Sequence, residues 1–239
     1  MAERLYIHET IMISVKHRKA YLDLMTDVWG PKSRELHNMF NFGAWATNGS
    51  TGVWPEAVVL WELESQAAFG RMLSGEYKHL DDPNAAIGDH YELFWGAAPR
   101  GVTDTQDVDR LLEPTAPSPS IGEALKAGVV GAGYYHQTIA CRPGAVDELL
   151  AAYEAEWRPV AEAHGLRFVA AFKTLLRNQS EAIVLWALPA WTDWEKIGVI
   201  ETDARASRFN KAVAGMGIDW HGKLLVPAAR NPLNIGKLL

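Results

Sequence analysis

The chain has 239 residues, 48% hydrophobic and 22% charged, which is the balance of a globular protein with one large or two ordinary domains. A formal net charge of -6 repels polyanions and makes nucleic acid and anionic membranes unexpected partners. There is no signal-peptide pattern and no apolar run near the roughly 20 residues of a membrane span, and Cys141 is the only cysteine, so a cytoplasmic location is expected.

From the N-terminus, residues 6–13 are short, aromatic and β-branched, which predicts a strand. Over 16–38, Tyr21, Leu24, Met25, Val28 and Trp29 recur at helical spacing. Residues 40–47 and the apolar run around 58–61 read as strands, 65–74 as a second helix and 91–95 as a closing strand. Pro114, Pro117 and Pro119 then deny a helix its hydrogen bonds and mark a linker. The glycines from Gly128 to Gly133 precede a strand, whereas a dinucleotide-binding loop follows one, so that chemistry is excluded. Next come a strand at 134–141, the turn Arg142-Pro143-Gly144, and a helix carrying Val146, Leu149, Leu150, Tyr153 and Trp157. Strands at 168–176 and 183–186, a helical region at 192–214 and a closing strand at 223–226 complete the chain.

This is one order of elements, β-α-β-β-α-β, met twice. At an offset of 128 residues, Tyr6, His8 and Thr10 fall on Tyr134, His136 and Thr138, Trp29 on Trp157, Pro31 on Pro159 and Phe40 on Phe168. After a shortening, residues 56–63 (EAVVLWEL) fall on 181–188 (EAIVLWAL). The expected fold is α+β: a first ferredoxin-like domain over 1–112, a proline-rich linker over 113–128 and a second ferredoxin-like domain over 129–239. A sheet with helices on one face only must cover the other, so the two sheets are expected to pack together around a barrel-like interior.

The tyrosine-led first strand, the run 56–65 (EAVVLWELES) followed by Ala67-Ala68-Phe69, and its repeat at 181–188 resemble the NIPSNAP group of the dimeric α+β barrel superfamily. Arg142-Pro143-Gly144 is similar to that family's Lys-Pro-Gly turn. The resemblance implies a small-molecule protein. The wider superfamily contains cofactor-independent oxygenases, isomerases, lyases and polyketide-tailoring enzymes, and tandem members that hold haem. The first strand departs from the family pattern, with Ile7 and Glu9, or Tyr135 and Gln137, where Glu and Arg are usual, so no role is carried over to those positions.

His8 and His136 are the leading candidates for chemistry. Alternation along a strand puts Tyr6, His8 and Thr10 on one face, and Ile7, Glu9, Ile11 and Ile13 on the other. The isoleucine face should meet the helices and the histidine face the interior, where an imidazole of ordinary pKa near 6.5 serves as general acid or base. Glu9 could orient an imidazole or take a proton; the plainer alternative is that each histidine donates a hydrogen bond within the core. Tyr6, Trp45, Trp54, Trp95 and Tyr134 are candidates to line a pocket for a flat apolar ligand, against simple core packing. Trp29 with Trp157, and Trp61 with Trp186, recur and are read as architectural. The expected function is a cofactor-independent enzyme of isomerase, lyase or oxygenase type, without metal, acting on a small hydrophobic or aromatic metabolite. The alternatives are a haem-binding tandem-domain protein with an axial histidine, and a non-enzymatic ligand-binding or interaction protein. A homodimer is the expected assembly.

Overall fold

The computed structural model describes residues 4–76 and 108–233. Strands β1 (Leu5–Met12), β2 (Met39–Thr47), β3 (Glu56–Leu63), β4 (Val108–Pro114), β5 (Gly133–Ala140), β6 (Arg167–Thr174), β7 (Glu181–Leu188) and β8 (Asp219–Pro227) close into one antiparallel barrel in the order β1-β3-β2-β8-β5-β7-β6-β4. Each half of the chain supplies four neighbouring strands. The halves join edge to edge, at Trp45–Thr47 against Leu225–Pro227 and at Leu112–Pro114 against Phe172–Thr174. The two bare faces thus line a single interior, and the open edges that would otherwise recruit other chains are paired.

The strand alternation reads out as expected. Tyr6 and Tyr134 point inward with Phe42, Trp45, Val58, Leu60, Phe172, Ile183 and Leu185, while Ile7, Ile11 and Ile13 pack outward against helices. β3 is buried along its whole length and β7 nearly so, because the barrel interior covers one face and helices the other; hence their continuous apolar sequences. Trp45 and Tyr134 meet edge-on at 5.3 Å, and Tyr6 lies 4.8 Å from Phe172, so these rings fill the interior as core.

Helices lie outside the barrel, and the first one of each half is broken in the same way. In the first half, α1 (Arg18–Asp23) passes through a π turn, Leu24–Trp29, into α2 (Gly30–His37). Helix α3 (Gln66–Glu76) follows β3, and α4 (Ile121–Lys126) follows β4. In the second half, α5 (Val146–Ala152) passes through the π turn Tyr153–Trp157 into α6 (Arg158–Ala163), and α7 (Glu195–Thr202) and α8 (Ala206–Ala212) follow β7. Each π turn ends just before Pro31 or Pro159. A proline inside a helix cannot donate and crowds the preceding turn, and a widened turn accommodates it. Among the described residues no helix is long and apolar enough to cross a membrane.

Two expectations need amending, and a third falls outside the described residues. The predicted linker is structured: Glu113 and Pro114 belong to β4, which pairs with β1 and then crosses to β6. Within it, α4 begins at a capping box in which Ser120 Oγ accepts from the Glu123 N–H and the Glu123 carboxylate accepts from the Ser120 N–H. Pro114 is tolerated because it ends its strand. The predicted strand at 91–95, with Trp95, lies outside the described residues. Finally, the ungapped alignment drifts by one residue after the first helices. Asn41 opposes Trp61 as Phe168 opposes Trp186, and Trp45 opposes Val58 as Phe172 opposes Ile183, so Trp45 corresponds to Phe172.

Candidate functional site

Two polar places stand out, and they lie on opposite faces of the same strands. The first is the barrel interior. His8 opposes Arg110 across β1 and β4, and His136 opposes Lys223 across β5 and β8. The imidazoles meet at the centre, Nε2 to Nε2, at 2.9 Å, each residue only 2% exposed. One ring must donate and the other accept, so at least one is neutral at that contact. Arg110 Nε donates to Glu181 at 2.8 Å, and Lys223 Nζ is paired with Glu56, which also accepts from Thr47 at 2.7 Å. Burial first, then Lys223, then for His136 its partner His8, and lastly Arg110 hold both imidazoles well below the ordinary histidine pKa. Burial also lowers Lys223, against the pull of Glu56.

The expected face of His8 and His136 is therefore the observed one, and the structure adds that they are each other's partner. Both Nδ1 atoms lack a hydrogen-bond partner among the described residues. Glu9 does not reach them. It lies on the helix-facing side of β1, where its carboxylate accepts from Trp61 Nε1 at 3.0 Å. The sheet separates it from His8, as its odd position relative to His8 requires.

The second place is a cavity of about 550 Å³ in the second half, between the outer face of β5 and β8 and the helices α7 and α8. Tyr135, Trp157, Trp194 and Trp220 give it aromatic walls; Glu201 and Asn210 add polar groups. The space has a local cause. Gly222 lies between Trp220 and Leu224 on β8, and a Cβ there would fall 2.5 Å from the Tyr135 ring. Glycine lets that ring lie flat on the neighbouring strand. Behind it, Tyr153 stacks on Trp157 at 5.0 Å, and Trp220 sits 5.6 Å from Trp157.

Residues named from the sequence fare unevenly against this cavity. Tyr6, Trp45 and Tyr134 are buried in the barrel interior. Trp54 is 45% exposed under the Arg18 guanidinium. None of these four is among the lining residues. Trp157, read as architectural, does line it. Tyr135, not among the residues expected to line a pocket, is marked only by comparing the repeats: its counterpart Ile7 is apolar.

A chain of hydrogen bonds runs behind the cavity. Trp186 Nε1 donates to Tyr153 Oη at 2.8 Å, and Tyr153 donates to Gln137 Oε1. Gln137 is fully buried, its Nε2 and Trp220 Nε1 have no hydrogen-bond partner among the described residues, and the Tyr135 hydroxyl lies beside Gly222, directly across from Gln137. Burial pushes the Tyr135 phenol above the ordinary tyrosine pKa and outweighs Gln137 and Trp220, which pull it down, so it is protonated at neutral pH.

No protein-family model and no curated protein matches this sequence. Solved structures do. A candidate monooxygenase from Fusobacterium nucleatum is 9% identical with a TM-score of 0.62, covering 99% of this chain and 97% of its own. An anthrone oxidase-like protein is 14% identical with a TM-score of 0.58, covering 100% and 98%. A NIPSNAP family protein of unknown function from Agrobacterium tumefaciens, 20% identical with a TM-score of 0.36, matches 46% of this chain and 95% of its own. The two full-length matches establish a shared α+β barrel fold.

Proposed function

We propose that the chain is a cofactor-free oxygenase that acts on a flat aromatic molecule held in the second-half cavity. One observation carries this reading: a cavity of about 550 Å³ walled by Tyr135, Trp157, Trp194 and Trp220, with a protonated phenol on its floor. The volume suits a molecule of two or three fused rings. The shared fold of proteins described as monooxygenases and as anthrone oxidase-like points the same way.

The chemistry suits a substrate whose C–H is acidified by a neighbouring ring carbonyl. Loss of that proton leaves a carbanion whose charge spreads onto the carbonyl oxygen, and the Tyr135 hydroxyl is placed to donate to that oxygen. Glu201, on the cavity lining and close enough to Tyr135 to act on its charge, is the candidate base. The carbanion gives its electrons to dioxygen, a C–O bond forms, and the resulting hydroperoxide loses water. A CH₂ and O₂ thus become C=O and H₂O, with no external reductant. The first half is read as the diverged partner of a tandem ferredoxin-like pair, and His8 with His136 as the tie between them.

The described residues of the cavity and the barrel interior do not fit the haem alternative. The cavity lining contains no histidine or cysteine, the two buried imidazoles spend their Nε2 atoms on each other, and Tyr135 is held as a phenol and not a phenolate. A binding-only protein would share the cavity but not consume oxygen. The test is an oxygen-electrode assay with anthrone-type substrates, with product mass as a second readout. Uptake of one O₂ per substrate is expected, falling about 100-fold in kcat/KM for Tyr135→Phe. Anthrones that bind without oxygen uptake, or undiminished turnover in Tyr135→Phe, would sink the reading.

A further inference from the structure

We propose that Gln137 is a positioning residue that makes Tyr135 a one-way hydrogen-bond donor into the cavity, so that the site selects ligands presenting an acceptor oxygen. The inference deepens the oxygenase reading and rests on it for the identity of the site. The argument follows hydrogens along the chain behind the cavity. An indole N–H can only donate, so Trp186 fixes Tyr153 Oη as an acceptor. The Tyr153 proton then goes onward to Gln137, at a separation of 2.5 Å that suits O–H···O. That contact fixes the Gln137 amide, with Oε1 toward Tyr153 and Nε2 on the other side.

Gln137 Nε2 is buried and has no hydrogen-bond partner among the described residues, and the Tyr135 hydroxyl lies beside Gly222, the residue directly across from Gln137 on β8. Trp220, two residues from Gly222 on the same face of β8, has a donor-only Nε1 that also lacks a partner among the described residues. Both neighbouring groups are donor-only, so they offer the Tyr135 proton no acceptor on that side. The open direction is the cavity, which Tyr135 lines. A ketone, enolate or phenolate oxygen there receives that proton, whereas a hydrocarbon leaves the buried donors unsatisfied. The repeat-related position in the first half shows what the amide adds. Glu9 there accepts directly from Trp61 Nε1, and Met25 stands where Tyr153 would pass the bond on.

The test reads Tyr135 itself and needs no ligand. A fluorotyrosine that titrates near neutral pH is placed at position 135 in the full chain, and its ionisation is followed by ¹⁹F NMR. Gln137→Met removes the donor and should weaken the fluorophenol's acidity about tenfold, a rise of about one pKa unit. Tyr153→Phe, which frees the amide to turn, should shift the titration the same way and serves where Gln137→Met does not fold. An unchanged titration in the folded variants overturns the inference, whatever turnover does. An intact shift without oxygen uptake leaves the inference standing and removes the oxygenase reading instead.

Discussion

The two halves of the barrel begin from nearly the same strand and end with different outer faces. In the first, Ile7 and Glu9 face the helices, Met25 packs onto that face from the π turn, and Glu9 ties directly to Trp61. In the second, Tyr135, Gln137 and Tyr153 occupy those positions, the tie to Trp186 runs through Tyr153, and a cavity opens over them. Their inner faces diverged far less: His8 and His136, Glu56 and Glu181, Arg110 and Lys223 keep corresponding places. The inside of the barrel is shared by both halves and is held to one solution. The outside belongs to each half separately and was free to specialise.

The shared interior should give the largest effect, and the halves should contribute equally to it. Both histidines have native pKa values held below the unfolded value of about 6.5, so unfolding takes up protons as the pH falls. Their contribution to stability is complete above about pH 6.5 and is lost below it, by about 1.4 kcal/mol per pH unit for each histidine until its native pKa is reached. Urea denaturation at pH 8, 6 and 5 should show this slope. His8→Leu and His136→Leu should each remove about half of it; a slope unchanged in both would break the symmetry argued here.

Next in size is a contrast between the outer faces. Gly222→Ala pushes a methyl into the Tyr135 ring and should cost about 1–3 kcal/mol while narrowing the cavity. Asp109, the counterpart on β4, is exposed, and Asp109→Ala should stay within about 0.5 kcal/mol. The smallest contrast concerns the helix positions. Tyr153→Phe leaves Trp186 Nε1 and Gln137 Oε1 without their partner and should cost about 1–2 kcal/mol. Met25→Leu in the first half conserves volume and should cost less than about 1 kcal/mol. Thermal or denaturant melts read both, and equal losses would mean that the relay adds nothing to the fold.

Much of the barrel was legible in the sequence because strand alternation and the repeat are local signals. Tyr6, His8 and Thr10 declare their face by spacing alone, and the 128-residue offset pairs them with Tyr134, His136 and Thr138. The one-residue drift between Phe40 and Asn41 as partner of Phe168 was not legible, since either residue is a plausible strand member and only cross-strand register decides. The cavity was not legible for a different reason. It depends on Gly222 leaving room for a ring that precedes it by 87 positions, and on Trp220, which no repeat-related tryptophan flags. Histidines stand out by their chemistry, whereas Tyr135 on the cavity lining and Gln137 buried behind it become notable only when set beside Ile7 and Glu9.

The two ion pairs inside the barrel are exchanged between the halves: Arg110 of the first reaches Glu181 of the second, and Lys223 of the second reaches Glu56 of the first. In the barrel neither half pairs its own carboxylate with its own cation; each is met by a group of the other half. Severed at the connection between β4 and β5, the halves would each expose two unpaired strand edges and strand a carboxylate and a cation. Their recovery would then depend on concentration, as an association between two chains does. The covalent join converts that encounter into an intramolecular one at a high effective concentration. Fusion thereby frees the outer face of either half to change without loss of its mate.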